Sequence, residues 1–109
     1  MNIGADLIRG HTDSIILALL MRGDSYGYEI NKTISALSGG RFELKEATLY
    51  TAFKRLEETG HIVSYWGDSG AGARRRYYTI TPAGRALHRQ LQAEWEETRE
   101  IMDKLLEKG

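Results

Sequence analysis

The side chains in this sequence best suited to chemistry are hydrogen-bond donors. Arg74, Arg75 and Arg76 stand together, and Tyr50, Thr51 and Lys54 precede them on one upstream segment. A guanidinium presents a fork of N–H groups that matches phosphate oxygens, while hydroxyl and ammonium groups serve phosphates or base edges. Side chains alternate along a strand, so at most two of the three arginines share a face. Arg74 and Arg75 are expected to reach an anionic partner, and the third to pair with acids.

Other chemistries lack their residues. There is no cysteine, which excludes disulfides, thiol catalysis and thiolate zinc sites. His11, His61 and His88 show no metal-ligand spacing. No set of nucleophile, base and orienting group is recognisable, so neither an enzyme nor a cofactor is expected. Gly70 and Gly72 fall between two strand-like stretches rather than before a helix, which removes a phosphate-loop reading. Glu94, Glu96, Glu97, Glu100 and Asp103 read as a solvated helix face with i,i+4 pairs such as Glu100 with Lys104. Asn31-Lys32-Thr33 matches a glycosylation sequon and reads as chance.

These donors need a scaffold. The chain has 109 residues, 41% hydrophobic and 28% charged, a composition for one globular domain. The longest apolar run, Ile15 to Met21, is seven residues, and a membrane span needs ~20. A cytoplasmic setting with no membrane association is therefore expected. The formal net charge is zero, which is unusual beside the basic balance of many nucleic-acid binders, so charge placement has to matter more than the sum.

Hydrophobic periodicity supplies the elements. Leu7, Ile8, Ile15, Ile16, Leu19 and Leu20 predict a helix from about Ala5 to Met21, stopped by Gly23. A second helix is expected near Ser25, capped by Asp24 or Ser25, with Tyr26, Ile30, Ile34 and Leu37 on one face and Gly39-Gly40 at its end. Phe42-Glu43-Leu44 alternates like a very short strand. A third helix from about Glu46 to Thr59 turns Leu49, Phe53 and Leu56 inward and leaves Ala47, Tyr50, Thr51 and Lys54 outside. No strong capping residue precedes it.

Ile62 to Trp66 and Arg75 to Ile80 read as strands, with Asp68 to Ala73 as the hairpin tip. Thr81-Pro82 then opens a last helix, threonine as N-cap and proline at N1. It carries an apolar stripe of Leu87, Leu91, Trp95, Thr98, Met102 and Leu105. Running to about Lys108 it would be ~40 Å long, more than one small domain can cover, so a second chain is expected against it.

The order is helix, helix, short turn, helix, hairpin, long helix. That predicts a mainly α fold with a small β-wing: a winged helix-turn-helix plus one long C-terminal dimerisation helix. Residues 1–81 would form the DNA-binding domain and residues 82–109 the dimerisation helix, together one compact unit. An α-helix fits the major groove, and a symmetric dimer suits a palindromic site.

A family resemblance rests on particular stretches. They are Tyr26-Gly27-Tyr28-Glu29-Ile30, Glu46-Ala47-Thr48-Leu49-Tyr50, Lys54-Arg55-Leu56-Glu57, Gly60-His61-Ile62, and Arg74-Arg75-Arg76-Tyr77-Tyr78-Thr79-Ile80-Thr81-Pro82-Ala83-Gly84. In this order and spacing the chain resembles PadR-family transcriptional regulators of the short subfamily, whose C-terminal element is a single long helix. The resemblance implies a homodimeric repressor that binds double-stranded DNA at a palindromic operator, with Glu46 to Thr59 as recognition helix. The expected DNA-binding set is Tyr26, Lys45, Thr48, Tyr50, Thr51, Lys54, Arg74 and Arg75. The last helix would pair with the partner's first helix, through Leu7, Ile8, Leu87, Leu91, Trp95, Met102 and Leu105.

The sequence also resembles family members that sense flat aromatic or drug-like compounds. In those, a tryptophan midway along the last helix lines a pore between subunits, and Trp95 matches it, with Ile15 and Leu19 as neighbours. Spacing alone reads Trp95 as an ordinary dimer-interface tryptophan. Two other functions compete: a winged-helix protein-interaction module without DNA, favoured by zero net charge, and an apolar binding protein or accidental catalyst around Trp95.

Overall fold

The computed structural model describes residue 8, residues 10–68 and residues 74–107. Leu7, expected at a dimer interface, and the expected hairpin tip at residues 69–73 lie outside the described residues. The elements run α1 (Thr12–Leu20), α2 (Gly27–Leu37), α3 (Glu46–Glu58), β1 (Ile62–Asp68), β2 (Arg74–Ile80) and α4 (Pro82–Leu105). The winged-helix architecture expected from the sequence is present. Among the described residues no helix is long and apolar enough to cross a membrane.

Three local expectations are corrected. The first helix is interrupted: Ile8 is helical, but Gly10 and His11 form a turn, and α1 begins at Thr12. Glycine is a poor residue for a helix interior. The second helix begins at Gly27, with Tyr26 rather than Asp24 or Ser25 at its N-cap and no side-chain cap. Ser25 is instead held in a two-way backbone bridge with Tyr78, at 3.2 and 2.8 Å, and its hydroxyl donates to Glu29.

The third correction concerns Phe42 to Leu44, which form no strand. Side chains of α2 and of its C-cap, Ser38, occupy their backbone groups. Asn31 donates to the Leu44 carbonyl at 2.7 Å and accepts from the Leu44 N–H at 2.9 Å. Ser38 does the same for Phe42, at 3.1 and 3.0 Å. Side chains, not a strand partner, therefore hold the backbone groups of Phe42 and Leu44. Asn31, part of a chance sequon by sequence, fixes the loop that delivers the chain into α3.

The core lies where the three short helices meet the wing. Ile16, Leu17 and Leu20 of α1, Ile30 and Ile34 of α2, and Leu49, Ala52, Phe53 and Leu56 of α3 are buried with Ile62, Tyr78 and Ile80 of the hairpin. The Phe53 and Tyr78 rings stack at 4.0 Å, so the wing is anchored on the helix it flanks. β1 and β2 pair antiparallel in the register Ile62 with Ile80 through Asp68 with Arg74.

Thr81 caps α4 as expected, its hydroxyl accepting from the Gly84 N–H at 3.1 Å behind Pro82. Gly84 is required there, because a Cβ would stand 2.0 Å from the His61 carbonyl oxygen. Beyond this anchor α4 leaves the body. Leu87 and Leu91 pack partly on the core, whereas Trp95, Ile101, Met102, Leu105 and Leu106 are exposed. The helix has 24 residues, about 36 Å at its ordinary rise.

Candidate nucleic-acid interface

α3 separates its two faces as its periodicity requires. Leu49, Ala52, Phe53 and Leu56 face the core, and Ala47, Thr48, Tyr50, Thr51 and Lys54 are exposed. Lys45 is the N-cap in extended conformation and makes no side-chain cap, which leaves its ammonium on the surface. Tyr50 packs edge-on against Phe53 at 5.6 Å. Its hydroxyl lies so near the start of α2 that a Cβ on Gly27 would meet it at 2.5 Å. On the other flank, Thr48 and Thr51 open onto a groove of about 340 Å³ that also borders Thr12 and Arg55. Arg55 is held there by Asp13.

Alternation divides the wing into two faces. Arg75, Tyr77 and Thr79 share one with Tyr65, and this face meets the start of α2. The Arg75 guanidinium donates to the Tyr26 hydroxyl at 2.6 Å and lies 4.5 Å from that ring's centroid. Tyr77 is edge-on to Tyr26 at 5.2 Å and stacks on Tyr65 at 5.6 Å. An open cleft of about 250 Å³ results, lined by Tyr26, Gly27, Tyr28, Tyr50, Arg75 and Arg76. Hydroxyl and guanidinium donors from α2, α3 and the wing therefore converge at one place.

Asp24 completes the contact between this face and the α1–α2 connection. It accepts from the Tyr65 hydroxyl at 2.6 Å. Hydrogen bonds from Thr79 first, and then Tyr65, hold its carboxyl below the ordinary aspartate range. The same bond to Asp24 raises the Tyr65 phenol, and burial raises that of Tyr78.

The other wing face carries Arg74 and Arg76 and turns toward α3. Arg76 pairs with Glu57 at 3.1 Å, as expected of the third arginine, and the Ser64 hydroxyl donates to Glu57 at 2.6 Å. The Arg74 guanidinium lies 5.3 Å from the centroid of the exposed Trp66 ring. Arg74 and Arg75 thus point to opposite faces, and Arg75 is already partnered. Sequence reasoning missed Trp66 and Asn31. Trp66 could have been found from its place directly before the tip, on a strand facing the arginine run.

The residues expected at the interface and ligand site are only partly together. Ile15 and Leu19 are half-buried against this chain's own core. Trp95 is 46% exposed and meets the edge of His11 at 5.1 Å.

Comparisons with known proteins agree with this geometry. A family model described as the transcriptional regulator PadR-like family matches residues 16–90. Uncharacterized protein X of Lysinibacillus sphaericus is 48% identical over 105 residues, 96% of each chain. A transcriptional regulator from Clostridium thermocellum has a similar structure, with a TM-score of 0.88 at 48% identity over 96% of this chain and 99% of that one. A PadR family transcription regulator from Clostridium difficile gives a TM-score of 0.76 at 35% identity, over 88% of this chain and 98% of that one.

Proposed function

Since the chain belongs to the PadR-like family of transcriptional regulators, and so to proteins of DNA-binding regulation rather than enzymes, we propose that it is a homodimeric repressor of the short, multidrug-sensing kind. α3 enters the major groove of a palindromic operator. Thr48, Tyr50, Thr51 and Lys54 face bases and phosphates, and Lys45 serves the backbone beside the helix start. Arg74 and the Tyr26–Arg75 pair contact phosphates from the wing side. Residues 1–81 act as the DNA-binding unit and residues 82–109 as the dimerisation helix, in the cytoplasm.

The observation that carries this proposal is the exposed α3 face bordering the cleft where Tyr26, Tyr50 and Arg75 converge. Zero net charge does not oppose it, because the acidic run Glu94 to Asp103 belongs to α4 and not to α3. The test is a fluorescence-anisotropy titration with DNA from upstream of the chain's own gene, at two salt concentrations, against scrambled duplex. Tight, salt-dependent and sequence-selective binding supports the proposal. Failure to find any preferred sequence, even after selection from random duplexes, would sink it in favour of a protein-interaction module.

A planar aromatic or drug-like molecule at the dimer interface relieves repression. Support comes from the half-exposed Trp95 ring on the α4 stripe and from Met102 and Leu105 exposed farther along it; in the proposed dimer Ile8, Leu87, Leu91, Met102 and Leu105 meet the partner. An aromatic face in an apolar site stacks on planar ligands. Binding would favour one spacing of the two recognition helices over another, which is a population shift. A Trp95→Ala protein that still binds planar aromatics as tightly as wild type would remove this mechanism.

A further inference from the structure

We infer that Trp66 and Arg74 form a composite contact for the DNA sugar–phosphate backbone, on the wing face that looks toward α3. The inference rests on the DNA-binding function proposed above and adds an aromatic element to it. Three observations support it. First, β1 residues 62, 64, 66 and 68 share a face with β2 residues 74, 76, 78 and 80, because paired residues in an antiparallel ladder point the same way. Tyr78 on that face stacks on Phe53 of α3, and Ser64 and Arg76 both bond Glu57 of α3. The face therefore borders the gap between recognition helix and wing. With α3 in the major groove, one of the two sugar–phosphate backbones that border the groove lies on the wing side of the helix, beside that gap.

Second, the polar groups at the base of the gap are satisfied among themselves, since Arg76 and Ser64 engage Glu57. Arg74, farther toward the tip and directly across the ladder from Asp68, is exposed and holds its guanidinium 5.3 Å from the Trp66 ring centroid. Arginine held this way keeps its phosphate-pairing fork while losing little freedom on binding. Third, Trp66 is 59% exposed. Its partner on the ring is a cation rather than an apolar side chain, so core packing does not account for an indole here. An indole offers an apolar face to deoxyribose and one N–H donor to a phosphate.

Operator binding by Trp66→Ala, Trp66→Phe, Arg74→Ala and the double variant tests this, with wild type alongside. Trp66→Ala is expected to weaken binding about tenfold, on the scale of aromatic contacts to nucleic acid, and Trp66→Phe to recover most of it. The salt slope should stay unchanged in Trp66→Ala, because no charge is lost, and fall by about one in Arg74→Ala. The two losses should be non-additive in the double variant. In a Trp95→Phe protein, Trp66 becomes the single tryptophan, and operator DNA should shield its fluorescence from acrylamide. Wild-type affinity in Trp66→Ala, or unshielded Trp66 fluorescence with operator bound, overturns the inference while leaving DNA binding intact. Absence of DNA binding by wild type overturns the proposed function and this inference together.

Discussion

Arg75 and Tyr26 join the wing to the start of α2 through two contacts, a 2.6 Å hydrogen bond from guanidinium to phenol and a stacked cation 4.5 Å from the ring centroid. The pair fixes one donor of the guanidinium on the lining of the cleft that Arg75 shares with Tyr50. Arg75→Ala is therefore expected to weaken operator binding and lower its salt slope by about 0.9, the value for one lost phosphate contact. Tyr26→Phe keeps the ring but loses the bond, roughly 0.5–1.5 kcal/mol, and should leave the slope alone. An unchanged slope in Arg75→Ala would reduce Arg75 to a strut for the wing.

Asn31 holds both backbone groups of Leu44, and Leu44 is itself buried. Asn31→Ala leaves a backbone donor and acceptor unpaired near the core, at a cost of about 1–3 kcal/mol. Urea denaturation should show a lower midpoint, and DNA affinity should fall because the entry to α3 loosens. Wild-type stability in this variant would mean that water replaces the amide without loss.

Gly84 leaves no room for a side chain beside His61 and Ile80. In Gly84→Ala the first turn of α4 must move off the hairpin, at about 1–3 kcal/mol for overpacking. Thermal melts should show the loss, and sedimentation should show weaker self-association, because the angle at which α4 leaves the body changes.

The Asp24 bridge predicts a pH signature. Its carboxyl is held below the ordinary value by Thr79 and Tyr65, so the folded state binds the proton later than the unfolded chain as pH falls. The stabilisation is present above the unfolded aspartate pKa, ~3.9, and is lost as pH drops through the lower folded value. Asp24→Ala should be less stable than wild type at neutral pH, and the gap should close only below about pH 4. Tyr65 has the opposite sign: its raised phenol keeps its share below the unfolded tyrosine value, and that share is lost as pH rises through the folded one. A gap that is constant across the acid range would remove the bridge from the stability of the wing.

Much of this was legible in the sequence, for local reasons. The inward set Leu49, Phe53 and Leu56 and the outward set Tyr50, Thr51 and Lys54 follow from helical periodicity. Thr81-Pro82 marks the start of α4 because threonine caps and proline suits the first turn. Alternation limits how many arginines share a strand face, and the apolar stripe on α4 outruns what one small body can cover. Tertiary structure decided what depends on partners far apart in the chain. Ser25 gives up a helix cap because Tyr78 pairs with its backbone, and Phe42 and Leu44 join no ladder because Ser38 and Asn31 take their hydrogen bonds. Arg75 turns to Tyr26 while Arg74 turns to Trp66, since the hairpin register sets each arginine's face. Periodicity acts within one element and can be read from the chain, whereas the neighbours that claim each polar group are fixed only when the elements pack.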